Sequence, residues 1–144
     1  MPFEILLLGA DDAQVLDRVA AGVFDHPICP ALTSAFLRDP RHHLVVAAET
    51  GIVIGFVSAV HYLHPDKPAE LWINEVGVAP SHQRRGVAKA LLERMLKHAR
   101  ELGCVQAWVL TDPENAAARG LYRAAGGREV ATRSVMVEFP LDER

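Results

Sequence analysis

The sequence predicts an α/β (α+β) fold in which a mixed sheet carries helices on both of its faces, and three observations predict it. Its elements run strand, two helices, three strands, helix, strand, helix, terminal strands, an order that combines hairpin neighbours with helical crossovers. Half of the 144 residues are hydrophobic and 23% are charged, the balance of one globular domain, expected to span 1–144. A chain of this length buries roughly two-thirds of the surface its unfolded form exposes, so it needs no disulfide or metal staple. No repeat, low-complexity tract or linker interrupts it.

Phe3 to Leu8 is short, apolar and bounded by Gly9, as a first strand is. Asp11 or Asp12 then caps a predicted helix on which Val15, Leu16, Val19, Ala20 and Val23 recur at helical spacing. Pro27 and Pro30 break it, and a second short helix over Leu32 to Leu37 ends before Pro40. Strands over His43 to Ala48 and Ile52 to Leu63 flank Glu49-Thr50-Gly51, a hairpin connection. The fourth strand covers Leu71 to Val78, and its interior Gly77 suggests a bulge. After Gly86, residues Ala88, Leu91, Leu92, Met95, Leu96, Ala99 and Leu102 line one face of the strongest helix, which Gly103 stops. Val105 to Leu110 is a fifth strand, Asn115 opens a helix running to Gly126, and Glu129 to Phe139 supplies the last strands.

Composition excludes several classes. Net charge is −3, without the basic excess of a nucleic-acid-binding protein, so a cationic or neutral substrate is expected. The longest apolar stretch, Ile52 to Val60, is far short of the roughly 20 residues that cross a bilayer, so no membrane span is expected. Glu4 stands where a secretory signal would carry basic residues, and the two distant cysteines, Cys29 and Cys104, suggest neither a disulfide framework nor zinc; a cytoplasmic location follows as the expectation. His61 and His64 would point to opposite faces of a strand, as would the adjacent His42 and His43, and no metal is expected.

The run from Val78 through Pro80, Gln83, Arg84, Arg85, Gly86, Val87 and Ala88 ends a strand, turns and opens the long helix. Unpaired N–H groups at a helix start, with the positive end of the helix dipole, favour an anion. Gly86 and Ala88 leave room for it, and Arg84 and Arg85 add formal charge. The plainer alternative is a helix that starts after a loop with two solvated arginines.

Gln83-Arg84-Arg85-Gly86-Val87-Ala88 matches the Q/R-x-x-G-x-G/A motif of the GNAT superfamily of N-acetyltransferases, which the chain resembles along nearly its whole length, including Asn115, Leu121-Tyr122 and Gly126. The resemblance implies a mostly antiparallel sheet whose fourth and fifth strands splay apart. It implies acetyl-CoA as acetyl donor, its pyrophosphate on Arg84 to Ala88 with Gln83 and Lys89 beside them and its pantetheine arm along Val76, Gly77 and Val78. Asn115, a natural helix cap, contacts the cofactor in such proteins. Tyr122 stands where the family places the acid that protonates the departing thiolate, a role suited to its pKa near 10; a core tyrosine is the alternative. Glu75 is the candidate base for an ammonium acceptor, a half-buried strand carboxylate; a surface carboxylate is the alternative. His26 lies where acceptors are contacted, although an ordinary loop histidine fits as well.

Within the superfamily, Ile73 to Val78, His82 to Gly86, and Met136 to Phe139 most resemble the aminoglycoside 3-N-acetyltransferase group, which usually carries aspartate where Glu75 stands. That likeness implies a small-molecule amine substrate and an acidic pocket, with Asp25, Asp66, Glu70 and Glu75 as its candidates. The alternatives are a protein or peptide N-acetyltransferase and an acyl-CoA-binding sensor without turnover. Many GNAT proteins are dimers, and Val135 to Phe139 is apolar on alternate positions, so a homodimer is expected.

Overall fold

Two β-branched, aliphatic runs pair at the centre of the sheet and bury both of their faces. In the computed structural model, which describes residues 2–142 and so leaves the expected domain limits at 1 and 144 outside it, β2 (His42–Glu49) pairs antiparallel with β3 (Ile52–Tyr62). Thr50 and Gly51 join them at φ of 49° and 78°, the tight turn whose twist matches the flanking strands. β1 (Glu4–Leu7) adds to β2 and β4 (Glu70–Val78) to β3, both antiparallel, while β5 (Gln106–Trp108) lies parallel to β4. The order β1-β2-β3-β4-β5 is the mixed, mostly antiparallel sheet expected.

Each face has its own core. On one side Val45, Val57, Leu71 and Ile73 meet Leu91, Leu92, Met95 and Ala99 of α2 (Val87–Glu101), with Leu121 and Tyr122 of α3 (Ala116–Ala124) at the margin. On the other, Val46, Val53 and Phe56 meet Leu16, Val23 and Leu37, the last from α1 (Pro30–Arg38). Pro30, read in the sequence as a breaker, instead begins α1 at a first-turn position where its missing N–H costs nothing.

Three expectations are corrected. The helix expected through Val15 to Val23 is only a 3-10 turn at Ala13–Asp17, after which the backbone runs extended beside β3. The N–H of Val53 donates to the carbonyl of Arg18 and that of Ala20 to the carbonyl of Val53, each at 2.9 Å, and these bonds replace the helical ones. The apolar period was real, since Leu16 and Val23 are buried, but a loop laid across the sheet satisfies it. The strands expected over Glu129 to Phe139 do not form among the described residues, and β5 is shorter than Val105 to Leu110. A strand exists only through a neighbouring ladder, and among the described residues no backbone ladder forms with that segment.

At the far end of the sheet three histidines form a chain: His43 Nε2 lies 2.7 Å from His61 Nδ1, and His43 Nδ1 lies 3.0 Å from His98 Nε2. Burial, and the like charges of His98, His61 and His42, push the His43 pKa down to about 4. The unfolded chain therefore takes up a proton that the native one refuses. Stability should fall as pH drops from about 6.5 toward 4, by up to about 3 kcal/mol from this site. Denaturant melts of the wild type and His43→Leu across that range check it: the variant should lose most of the acid slope, whatever its absolute stability.

Candidate active site

β4 pairs with β3 from end to end except at Asn74, but with β5 only from Glu70 to Trp72, whose indole stacks on Trp108 with ring centroids 5.5 Å apart. Beyond Trp72 the two strands separate, so the outer edge of β4 from Ile73 to Val78 faces no strand among the described residues. That divergence is the splay that the family resemblance implies. The backbone groups it frees are the natural partners of an extended amide chain.

A bulge sets which side chains face which side. Ser58 pairs with Glu75 and Ala59 with Ile73, leaving Asn74 unmatched. The irregularity therefore sits at Asn74, not at Gly77, which pairs in register with Phe56. Ile73 points into the α2 core, and the extra residue returns Glu75 and Gly77 to the opposite face while Val76 and Val78 pack against the α2 core. Gly77 is required for another reason: a Cβ there would lie 2.5 Å from the Val23 carbonyl oxygen and 2.8 Å from the Phe56 ring. The loop after the 3-10 turn thus rests directly on the β4 backbone, so Gly77 relieves crowding rather than making a bulge.

On that face a cleft of about 520 Å³ is lined by Phe24, Asp25, His26, Leu32, Phe36, Phe56, Ser58 and Glu75. Phe24 stacks on Phe56 with centroids 4.0 Å apart. Glu75 is exposed at this cleft rather than half-buried. Of the acidic residues expected in the acceptor wall, Asp25 and Glu75 line it, but Glu70 lies at the start of β4 beside His64 (3.7 Å) and Lys67 (4.0 Å), and Asp66 is in the exposed loop before it. The sequence could not separate them because strand position, not composition, decides which acid reaches the cleft.

At the other end of the splay the chain turns into α2. Arg84 (φ 65°) and Gly86 (φ 78°) both adopt the left-handed region, and Gly86 is the N-cap. The first ladder bond is from the Ala90 N–H to the Gly86 carbonyl, so the N–H groups of Val87, Ala88 and Lys89 have no acceptor among the described residues. A Cβ at Gly86 would meet nothing within 4 Å, so it would project into the open space before the helix start. The Val87 side chain is buried, and only its backbone serves this space. Gln83 donates to the Val78 carbonyl at 3.4 Å, tying the turn to the end of β4, and Lys89 lies 3.7 Å from Glu93.

A clamp that sequence reasoning missed holds the turn from behind. Glu49, read only as part of a hairpin connection, accepts from His82 Nε2 at 2.9 Å and lies 3.5 Å from Arg85; His82 Nδ1 is 2.7 Å from the Ser81 hydroxyl. The His82 hydrogen bond and the nearby positive charge hold the Glu49 pKa below the usual carboxylate range. The signal was one acid far away in sequence, which only the β2–β3 hairpin brings near the turn. Arg84 stays exposed, with no ion pair among the described residues.

Tyr122 is half-buried on α3, and burial raises its pKa, so the hydroxyl remains a proton donor through neutral pH. Asn115 caps α3, its Oδ1 accepting from the Ala118 N–H at 3.0 Å. Unsatisfied N–H groups, a left-handed cradle that a Cβ would fill and an exposed arginine fit a diphosphate, and the bare β4 edge fits the amide chain that carries it.

The chain matches the model of the Acetyltransferase (GNAT) family over residues 13–126. It is 35% identical to the N-alpha-acetyltransferase RimI of Mycobacterium tuberculosis, covering 92% of this chain and 82% of that protein. It is 34% identical to a mycothiol acetyltransferase of Pseudarthrobacter chlorophenolicus over 82% of this chain and 39% of the other, and 30% identical to an L-2,4-diaminobutyric acid acetyltransferase of Nocardia farcinica over 85% and 58%. Among solved structures, an aminoglycoside acetyltransferase from an uncultured soil metagenomic sample superposes with a TM-score of 0.80 at 21% identity, covering 99% of this chain and all of the other. The aminoglycoside N-acetyltransferase AAC(6')-Iy in complex with CoA does so with a TM-score of 0.74 at 22% identity, covering 98% and 96%.

Two substitutions separate the faces of the site. Gly86→Val places a side chain in the cradle and should raise KM for acetyl-CoA at least about tenfold, about 1.4 kcal/mol of binding, with a fold loss near 1 kcal/mol from the positive φ. Gly77→Ala should instead cost on the order of 2–3 kcal/mol of stability, because backbone must move. Initial-rate kinetics and thermal melts on both variants check the contrast.

Proposed function

The chain belongs to the acetyltransferase (GNAT) family, whose members move an acetyl group from acetyl-CoA to an amine, and we propose that its acceptor is the α-amino group of a polypeptide. The observation that carries this reading is the composition of the cleft beneath Glu75: stacked Phe24 and Phe56, with Leu32 and Phe36, and only Asp25 and Glu75 as acids. A chain end offers one positive charge beside an apolar or small side chain, which this lining suits. The RimI relative, named an N-alpha-acetyltransferase, supports it.

The roles follow from position. Bound acetyl-CoA supplies an electrophilic thioester carbonyl. Arg84 and the N–H groups of Gly86 to Lys89 hold its phosphates, with Gln83 and Arg85 bracing the turn, and the Val76–Val78 backbone aligns its amide arm. Glu75 takes the proton from the incoming ammonium, directly or through water, so that nitrogen carries a free electron pair. Backbone N–H groups near Val76 steady the negative charge that develops on the carbonyl oxygen. Tyr122 gives its hydroxyl proton to the departing sulfur.

An aminoglycoside acceptor is the competing reading. The sequence likeness of Ile73 to Val78 and His82 to Gly86 supports it, and the two-acid cleft counts against a polycation. CoA-thiol release against a panel of peptides with varied first residues, aminoglycosides, diamines and amino acids decides between them. Peptide N-termini should be acetylated with the best kcat/KM; release with aminoglycosides alone would overturn the proposal, and silence across the panel with binding intact would indicate a sensor. On the preferred acceptor, Tyr122→Phe should lower kcat by roughly 10²-fold with KM for acetyl-CoA little changed, and Glu75→Gln should lower kcat/KM for the amine by roughly 10²-fold or more. Full turnover in Tyr122→Phe would remove Tyr122 from its role.

A further inference from the structure

Both tryptophans of the chain stand on one side of the sheet, outside either core. Trp72 and Trp108 are partners across the β4–β5 ladder with their rings 14° from parallel, and the Trp108 indole N–H donates to the Tyr62 hydroxyl at 3.2 Å. Strand alternation fixes which side this is. Leu71 and Ile73 point into the α2 core, so Trp72 between them points the other way; Trp108, paired with Trp72, and Tyr62, which its indole reaches, go with it. That is the face on which Ser58 and Glu75 line the cleft. Val60, the partner of Trp72, fills the step between Ser58 and Tyr62 on β3. Val60, Tyr62, Trp72 and Trp108 are all half-buried and belong to neither hydrophobic cluster. α1 lies to one side of them, over β2, with Phe36 stacked on His42.

We propose that this aromatic platform is the second half of the acceptor site: it receives the third or fourth residue of the polypeptide whose amino group lies at Glu75, and it selects an aromatic or large aliphatic side chain there. The inference rests on the polypeptide reading above and supplies what that reading leaves open, the sequence recognised. Trp72 and Glu75 are three residues apart on β4, about 10 Å at the rise of a strand, which an extended acceptor covers in three residues of its own. The platform also continues the cleft without a break, since Phe56 and Ser58 form the cleft floor and Val60 and Tyr62 carry the same face of β3 onward.

The chemistry of the platform selects the side chain. At its rim Lys67 lies 4.0 Å and His64 3.7 Å from Glu70, so the charges there answer one another and leave little to attract a lysine or an aspartate. His64 also meets the Tyr62 ring in a T-shaped contact, with centroids 5.1 Å apart. What is offered to a ligand is indole and phenol surface already held by stacking and by the Trp108–Tyr62 bond, which gains apolar contact on binding and gives up little freedom.

Trp72 and Trp108 are the only tryptophans in the chain, so intrinsic fluorescence reads this surface specifically. The full chain saturated with CoA is titrated with hexapeptides that have a free amino terminus, begin Ala-Gly, and carry Phe, Leu, Gly, Lys or Asp at the third and fourth positions. The Phe and Leu peptides should move the emission to shorter wavelength and shield it from iodide. With acetyl-CoA in place of CoA, their kcat/KM should exceed that of the Gly peptide by about tenfold. Trp108→Ala should bring that ratio close to one, and Trp108→Phe should keep most of it; a ratio between two substrates of one protein is unmoved by a loss of folded material. Equal kcat/KM for all the peptides, or a preference that Trp108→Ala leaves intact, would overturn the platform while the polypeptide acceptor stands. Acetylation of none of them, with another amine accepted, would overturn the polypeptide reading and this inference with it. Tryptophans shielded from iodide before any peptide is added would place a segment of the chain or a second copy on the platform, and would overturn the proposal as well.

Discussion

The site exists because two neighbouring strands have unequal length. β4 runs nine residues and is paired on its β3 side at all of them but Asn74, yet β5 accompanies it for only three. A strand held firmly on one edge and bare on the other is ordinarily a hazard, since its free N–H and C=O groups recruit any extended chain. Here the bare stretch leads toward the start of α2 and is backed by buried Leu71, Ile73, Leu91 and Leu92. The core on the α2 side keeps that edge straight, and the helix start at its end adds partial positive charge where phosphates belong.

The other face adds selection. The bulge at Asn74 turns Glu75 away from the α2 core, and the absence of a side chain at Gly77 lets the Val23 backbone come down on β4. The loop from Arg18 to Cys29 and α1 can then wall a cleft under the carboxylate. The donor's edge and the acceptor's cleft meet on the same strand, which places the reacting centre at β4 itself. The Glu49–His82–Arg85 clamp orders the phosphate turn through contacts made elsewhere in the chain, and Arg84 is left exposed, with no ion pair among the described residues, to meet a ligand.

What the sequence made legible follows a physical line. Elements with local causes were readable: α2 from its apolar stripe and glycine limits, the Thr50-Gly51 hairpin from its turn residues, the Asn115 cap, and the Gln83 to Ala88 turn from its glycine and arginines. Elements decided by distant partners were not. Val15 to Val23 has a helical period, but a bridge to Val53 outbids it; Glu129 to Phe139 has a strand period with no ladder among the described residues. The site divides the same way. Glu75, Tyr122 and the phosphate turn could be named as candidates from local pattern and family likeness, whereas Glu49, the position of the bulge and the exclusion of Glu70 and Asp66 from the cleft depend on register, which a one-residue slip would reverse.

The claim that most depends on this geometry is that the bare β4 edge and the α2 start together form the donor site. Titrating isotope-labelled protein with CoA and following backbone amide resonances tests it directly. The account predicts the largest shifts at Glu75 to Val78 and at Arg84 to Lys89, with the His43, His61 and His98 end of the sheet silent. Shifts centred on the Phe24 to Phe36 cleft, with Val76 to Val78 and Gly86 to Lys89 unmoved, would contradict it.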